Sequence, residues 1–217
     1  MDLLSPDSLA DAEAIKELYV LWDPVYPFLA EHFGEIYGRK DGRVIEMGPF
    51  CGTVFAMMKE GIGDSFLIAT FPSGLAEFFR EEARKRGGGK VRVIESTPFL
   101  SDVPENRFDL AVFRGALFFP ALFEVDFAAI DHILRPGGTA IIGGGFGKFT
   151  PKAVIEKIAQ QSRGLNVRLG KQEIDREVLE KSLRKSALGA KAQVSSEGGL
   201  WVIMRKEPLS PCDAGKR

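Results

Sequence analysis

Cysteine is nearly absent from this chain. Two residues of that type, Cys51 and Cys212, stand among 217, too few and too poorly placed for a disulfide framework. Long apolar runs are missing as well: no segment approaches the roughly 20 apolar residues of a membrane span. The start, Met1-Asp2-Leu3-Leu4-Ser5-Pro6, carries no basic stretch leading into an apolar one. These absences lead us to expect a cytoplasmic protein with no membrane partner. An excess of charge of one sign is also lacking. Lys and Arg total 29 against 30 Asp and Glu, a formal charge of −1, which leaves no electrostatic footprint for nucleic acid. Histidine is limited to His32 and His132, and no metal site is expected. Polar aromatics are scarce: three Tyr and two Trp against 17 Phe describe an interior filled by rings without a polar handle.

What is present suits a single core. With 45% hydrophobic residues over 217 positions, the chain fits one large domain better than two small ones. Its organising stretch is Arg43-Val44-Ile45-Glu46-Met47-Gly48-Pro49-Phe50-Cys51-Gly52-Thr53, a buried strand that breaks into a tight loop and opens a helix over Val54–Glu60, stopped by Gly61. Loop amides and a helix N-terminus converge at the carboxyl end of such a strand, so a cofactor is sought there first. The spacing excludes two cofactor motifs. A dinucleotide fingerprint needs G-x-G-x-x-G, but Phe50 and Thr53 stand where the second and third glycines belong. A P-loop needs a lysine, and the loop has none.

Upstream, residues from about Pro6 to Tyr37 are helical in pattern, with Ala14, Ile15, Leu18 and Tyr19 on one face and Phe28, Leu29 and Phe33 on another, punctuated by Pro24 and Pro27. Trp22 and Tyr26 are packing residues on base rates and candidates for a pocket wall. Downstream, the pattern predicts a second strand over Ser65–Phe71 and a helix N-capped by Ser73 and ended by Gly87-Gly88-Gly89. A third strand follows over Val91–Glu95 and a fourth over Phe108–Phe113. A helix over Val125–Leu134 is stopped by Pro136-Gly137-Gly138, and the fifth strand is Thr139–Ile142. Thr150-Pro151 opens a helix to about Gln161, and another runs from Asp175 to Leu188, closing at Gly189. A hairpin, Ala192–Val194 with Leu200–Met204, ends the pattern. Five strands alternating with helices predict an α/β, Rossmann-like doubly wound sheet, mostly parallel, to which the hairpin adds an antiparallel strand. We find no internal repeat.

The organising stretch resembles the first motif of the class I S-adenosylmethionine-dependent methyltransferases, a strand ending in an acid followed by G-x-G-x-G. Glu46, Gly48 and Gly52 fit it, and Phe50 takes the place of the middle glycine. Asn106-Arg107-Phe108-Asp109-Leu110-Ala111-Val112 is similar to the family's "SFDLVV" strand, Arg114-Gly115-Ala116-Leu117 to the loop after it, and Ile133-Leu134-Arg135-Pro136-Gly137-Gly138 to its "LKPGG" turn. The likeness extends from about Asp41 to Lys206 and points to the small-molecule, type 11-like branch. It implies the seven-stranded methyltransferase sheet, S-adenosylmethionine as cofactor, S-adenosylhomocysteine as product and a small-molecule acceptor. It divides the chain into a helical cap segment, 1–40, a methyltransferase-like domain, 41–206, and a polar tail, 207–217, expected to be disordered. A homo-oligomer is compatible with it.

The cofactor positions that the resemblance implies are Glu46, Gly48, Pro49, Phe50 and Gly52 in the first loop, Thr70, Phe71 and Pro72 after the second strand, Thr97 and Pro98 after the third, and Phe113 and Arg114 at the end of the fourth. Three depart from the family pattern. Phe71 stands where an acid usually takes the ribose hydroxyls, Thr97 where an Asp usually meets the adenine amine, and Phe50 where a missing side chain lets the cofactor approach the backbone. A lost charged acceptor removes about 1–3 kcal/mol per hydrogen bond, or one to two powers of ten in affinity. Either Phe71 supplies a stacking face in exchange, or the phenylalanines fill a disused site. Gly52→Val is expected to abolish binding with little effect on stability. No side chain is nominated as catalytic base: Phe118 follows Leu117 where small-molecule members often carry a polar residue, and His132 is read as structural. Gly143–Lys148 is a candidate lid. A non-catalytic member of the fold, binding a nucleoside or a protein partner, is the rival reading, and a nicotinamide-dependent oxidoreductase is a third.

Overall fold

The computed structural model describes residues 6–185 and 190–208. Two helices, α1 (Pro6–Leu21) and α2 (Tyr26–Tyr37), precede β1 (Arg43–Met47), α3 (Thr53–Lys59), β2 (Ser65–Thr70), α4 (Ala76–Arg86), β3 (Val91–Glu95) and β4 (Phe108–Arg114). Then come α5 (Phe127–Ile133), β5 (Leu134–Gly145), α6 (Lys152–Arg168), α7 (Arg176–Lys185), β6 (Ala190–Ser195) and β7 (Gly199–Lys206). One seven-stranded sheet has the order β3-β2-β1-β4-β5-β7-β6. Neighbours are parallel from β3 to β5, whereas β7 runs antiparallel to both β5 and β6.

Burial explains the order. All seven residues of β4 are buried, and so is β1 after Arg43, as expected for central strands covered on both faces. Strand order reverses between β1 and β4, and at that switch point the loops after the two strands diverge. The first helices join the same core as the sheet through Ile15, Leu18, Tyr19, Leu29 and Phe33, with α1 against α6 and α2 against α3.

Several boundaries differ from the sequence reading: α5 spans Phe127–Ile133 rather than Val125–Leu134, and the cap of α6 is Pro151 rather than Thr150. Ser73 does not cap α4, which starts at Ala76 with no side-chain cap, because Gly74 takes a left-handed φ of 92° and breaks the helical run. Pro136-Gly137-Gly138 lies inside β5 rather than before it; the irregularity is absorbed as a register shift between Phe108 and Leu110 of β4. Gly143–Gly145 are not a lid but the end of β5, paired with Trp201, Leu200 and Gly199. Side chains at Gly143 and Gly145 would collide with the backbone of Leu200 and Gly198, so glycine here permits a close strand approach. Helix α6 runs to Arg168 rather than about Gln161, since Gly164 sits in open space and does not break it. The expected closure at Gly189 and most of the tail fall outside the described residues.

Candidate functional site

The loop after β1 is built around Glu46. Its buried carboxylate accepts hydrogen bonds from the amides of Gly52 at 2.9 Å, Thr53 at 3.2 Å and Val54 at 2.8 Å, so it caps α3 from below. Burial pushes its carboxyl above the ordinary carboxylate range, opposed by the Arg114 guanidinium and by those amides. Burial likewise pushes the Cys51 thiol up, which leaves it a packing group whose sulfur donates to the Gly48 carbonyl.

Above this loop the chain's own rings close in. A Cβ on Gly48 would meet the Phe113 ring, one on Gly52 the Tyr26 ring, and one on Gly115 the Phe50 ring. Phe71, Phe113 and Phe123 form a mutual cluster with centroids 5.1–5.7 Å apart, and Phe50 packs on Phe119 at 4.7 Å. All five rings are buried. The wall divides the carboxyl edge of the sheet into two cavities.

The first, about 430 Å³, lies at the tips of β2 and β3 and is lined by Phe71, Pro72, Ser73, Ser96, Thr97 and Pro98, among others. Next to it the Thr70 hydroxyl is buried with no hydrogen-bond partner. The second, about 440 Å³, lies past the tip of β4 between α1, the end of β5 and the connection from α6 to α7. Trp22, Phe50, Phe118 and Phe119 are its rings, and Arg114 and Lys171 its cations. Arg114 donates through Nε and Nη2 to the Phe50 carbonyl at 3.1 and 2.8 Å, and through Nη2 to the Tyr26 hydroxyl at 3.4 Å. Its guanidinium carbon stands 4.8 Å from the Trp22 ring centre and 5.1 Å from that of Tyr26.

The twelve positions nominated from sequence therefore separate into three groups. Phe71, Pro72, Thr97 and Pro98 line the first cavity, and Phe50 and Arg114 line the second. Glu46, Gly48, Pro49, Gly52, Thr70 and Phe113 are buried between or beneath them. Trp22 reaches a cavity wall, whereas Tyr26 stands behind it. Asn166, Lys171, Gln172 and Leu200 also line the second cavity and were missed; the α6–α7 connection carries no motif, and only its approach to β4, where the Gln172 amide donates to the Phe118 carbonyl at 2.8 Å, reveals it.

Against the cofactor implied by the resemblance, the ends of this edge fit and the middle does not. The first cavity offers small polar groups and two prolines for a nucleoside, with the Phe71 ring buried in the wall behind them. Between the cavities, Phe113 over Gly48 and Phe50 over Gly115 occupy the space that the glycines would leave open.

No family model matches the sequence, and a search of curated proteins finds no match. Solved structures do resemble it. A candidate S-adenosyl-L-methionine-dependent methyltransferase from Methanococcus maripaludis is 21% identical over 97% of this chain and 99% of its own, with a TM-score of 0.74. A SAM-dependent methyltransferase from Aquifex aeolicus is 16% identical over 88% and 96%, with a TM-score of 0.58. Geranyl diphosphate C-methyltransferase from Streptomyces coelicolor, solved with magnesium, geranyl diphosphate and S-adenosyl-L-homocysteine, is 14% identical over 83% and 78%, with a TM-score of 0.54. With the strand order and the closing antiparallel hairpin, these likenesses give the chain the Rossmann-like fold of the class I S-adenosylmethionine-dependent methyltransferases.

Proposed function

We propose that this protein is an S-adenosylmethionine-dependent methyltransferase acting on a small molecule. The observation that carries the proposal is the pair of cavities at the carboxyl edge of a methyltransferase-type sheet, one on each side of the first-motif loop. In this reading the adenosine end of the cofactor rests against Phe71, Pro72, Thr97 and Pro98, and the acceptor enters the Arg114 cavity. Once the ring cluster opens, the Phe71 ring, buried against Phe113 and Phe123 in this structure, replaces the missing acid by stacking, worth about 1–3 kcal/mol per base. A fold neighbour solved with both geranyl diphosphate and S-adenosyl-L-homocysteine supports an acceptor of small-molecule size. Neither histidine serves as a base: His32 is buried beside Phe33, Phe149 and Trp201, and His132 is exposed beside Glu105. With no histidine at the cavity, this reading favours an acceptor that needs no proton removed before attack, and the residues around it align it and exclude water. Admission of the cofactor requires Phe50 to leave Gly115 and the connection after β4, with Phe119 and Phe123, to lift.

The ring wall favours a second reading, a non-catalytic protein of this fold that uses the Arg114 cavity alone. Calorimetric titration with S-adenosylhomocysteine separates the two. Saturable binding that Phe71→Asp preserves or tightens supports the methyltransferase. Absence of binding at millimolar ligand, with Phe71→Asp only destabilising the fold, supports the second.

A further inference from the structure

Arg114 is the group that the fold leaves unsettled. It is 6% exposed, yet among the described residues it forms no ion pair. Two of its nitrogens are taken by one carbonyl and one phenol, and among the described residues Nη1 meets no acceptor. Glu46 is the buried acid in its neighbourhood, but that carboxylate is spent on three amides. A guanidinium taken out of water is expensive unless an anion meets it, and a carboxylate accepting from it gains both charge and direction.

The cavity in front of Arg114 describes the rest of such an anion. Its apolar walls include Trp22, Phe118, Phe119 and Leu18, with the Trp22 ring centre 4.8 Å from the guanidinium carbon. A second cation, Lys171, holds its ammonium 5.8 Å from the Phe118 ring centre, and the single acid on the lining is the exposed Glu173. An apolar body with one acidic head fits both features; a neutral apolar molecule would leave Arg114 unmet, and a cation would be repelled. Sequence reading places no anion site here, since Arg114 was nominated only as part of the cofactor edge.

We propose that this cavity binds an apolar carboxylate, with the carboxylate on Arg114 and the apolar body among the rings. The inference deepens the methyltransferase reading by naming the chemical class of the acceptor. The test is calorimetric titration of the full cofactor-free chain with two acids and their uncharged counterparts: 2-naphthoate against 2-naphthamide, and decanoate against decanamide. At least one acid should bind about tenfold or more tighter than its amide, as charged hydrogen bonds do. Arg114→Gln should remove that preference, Arg114→Lys should keep part of it, and saturating S-adenosylhomocysteine should leave the acid bound. The inference is overturned if neither acid outbinds its amide, if the preference survives Arg114→Gln, or if S-adenosylhomocysteine expels the acid, which would assign Arg114 to the cofactor's own carboxylate. The acid–amide comparison in the wild type needs no variant, so failure of Arg114→Gln to fold leaves it decisive. Binding of S-adenosylhomocysteine tests the cofactor site on which the methyltransferase reading depends, and acid preference without cofactor tests this one, so the two can fail separately.

Discussion

Strands β1 and β4 carry opposite charges near both of their ends, and the two ends treat them differently. At the amino end, buried Asp109 accepts from the Arg43 amide at 2.8 Å and pairs with Arg135 at 2.8 Å and Arg39 at 3.4 Å. Arg39 in turn donates to Asp41. The buried acid there has its counter-charges within the chain, and the Arg43 side chain beside it is exposed to water. At the carboxyl end, Glu46 is turned to three amides and Arg114 to a carbonyl and a phenol, with an apolar cavity in front of the cation. The amino end holds its acid by ion pairs; at the carboxyl end Arg114 meets Glu46 only at a distance, without a direct ion pair, and faces a cavity. The "FD" of the fourth strand is thus a structural acid, and Arg114 at the strand's far end is the residue to which the proposed carboxylate site is assigned.

That contrast can be broken most directly at Asp109. Asp109→Ala removes the buried acceptor of the Arg43 amide, while Arg39 and Arg135 are partly exposed and keep their water, so it should cost about 1–3 kcal/mol in denaturant unfolding, with ligand affinity of the folded protein unchanged. A cost below about 1 kcal/mol would show that the amino end is not held by its charges.

The ring wall at the carboxyl end gives the next effect. Phe113→Ala removes a buried ring over Gly48 and should lower stability by about 3 kcal/mol. If the methyltransferase reading holds, the same variant should bind S-adenosylhomocysteine more tightly than wild type, because it opens the groove between the cavities; equal or weaker binding by a folded variant speaks against that route.

Glu46→Gln is a smaller perturbation, since the amide oxygen still accepts. It should cost about 1–3 kcal/mol in thermal or denaturant unfolding and leave acid binding at Arg114 intact. If stability is unchanged and affinity falls, Glu46 is a ligand contact rather than a helix cap.

The smallest effect is pH dependence at His32, whose Nδ1 is buried without a partner. Burial pulls its pKa below 6.5, against the pull of Glu197 and Glu35. The unfolded chain therefore binds the proton first, and stability is full above the unfolded value and lost as pH falls below it, by at most about 1.4 kcal/mol per pH unit. Unfolding midpoints between pH 7 and 5 should show that slope in the wild type and a shallower one in His32→Gln.

Much of this was legible in the chain itself. Apolar runs alternating with helical periods, and an acid followed by spaced glycines after the first run, determine a parallel sheet with a loop at its switch point, because strand and helix periods are local properties of the sequence. What the first-motif residues face was not legible. Gly52 read as a place for a ligand, but its space is filled by the Tyr26 ring, so Gly52→Val should destabilise the chain by about 1–3 kcal/mol rather than act on binding alone. Gly143–Gly145 read as a mobile loop because glycine marks both turns and close strand approaches, and only the partner strand distinguishes them. The cavity at Arg114 depends on Trp22, Phe118 and Lys171, which lie on three separate segments. Sequence determined which residues stand at the carboxyl edge; tertiary packing decided which are sealed under rings and which meet a cavity, since burial is a property of the neighbours that distant segments bring.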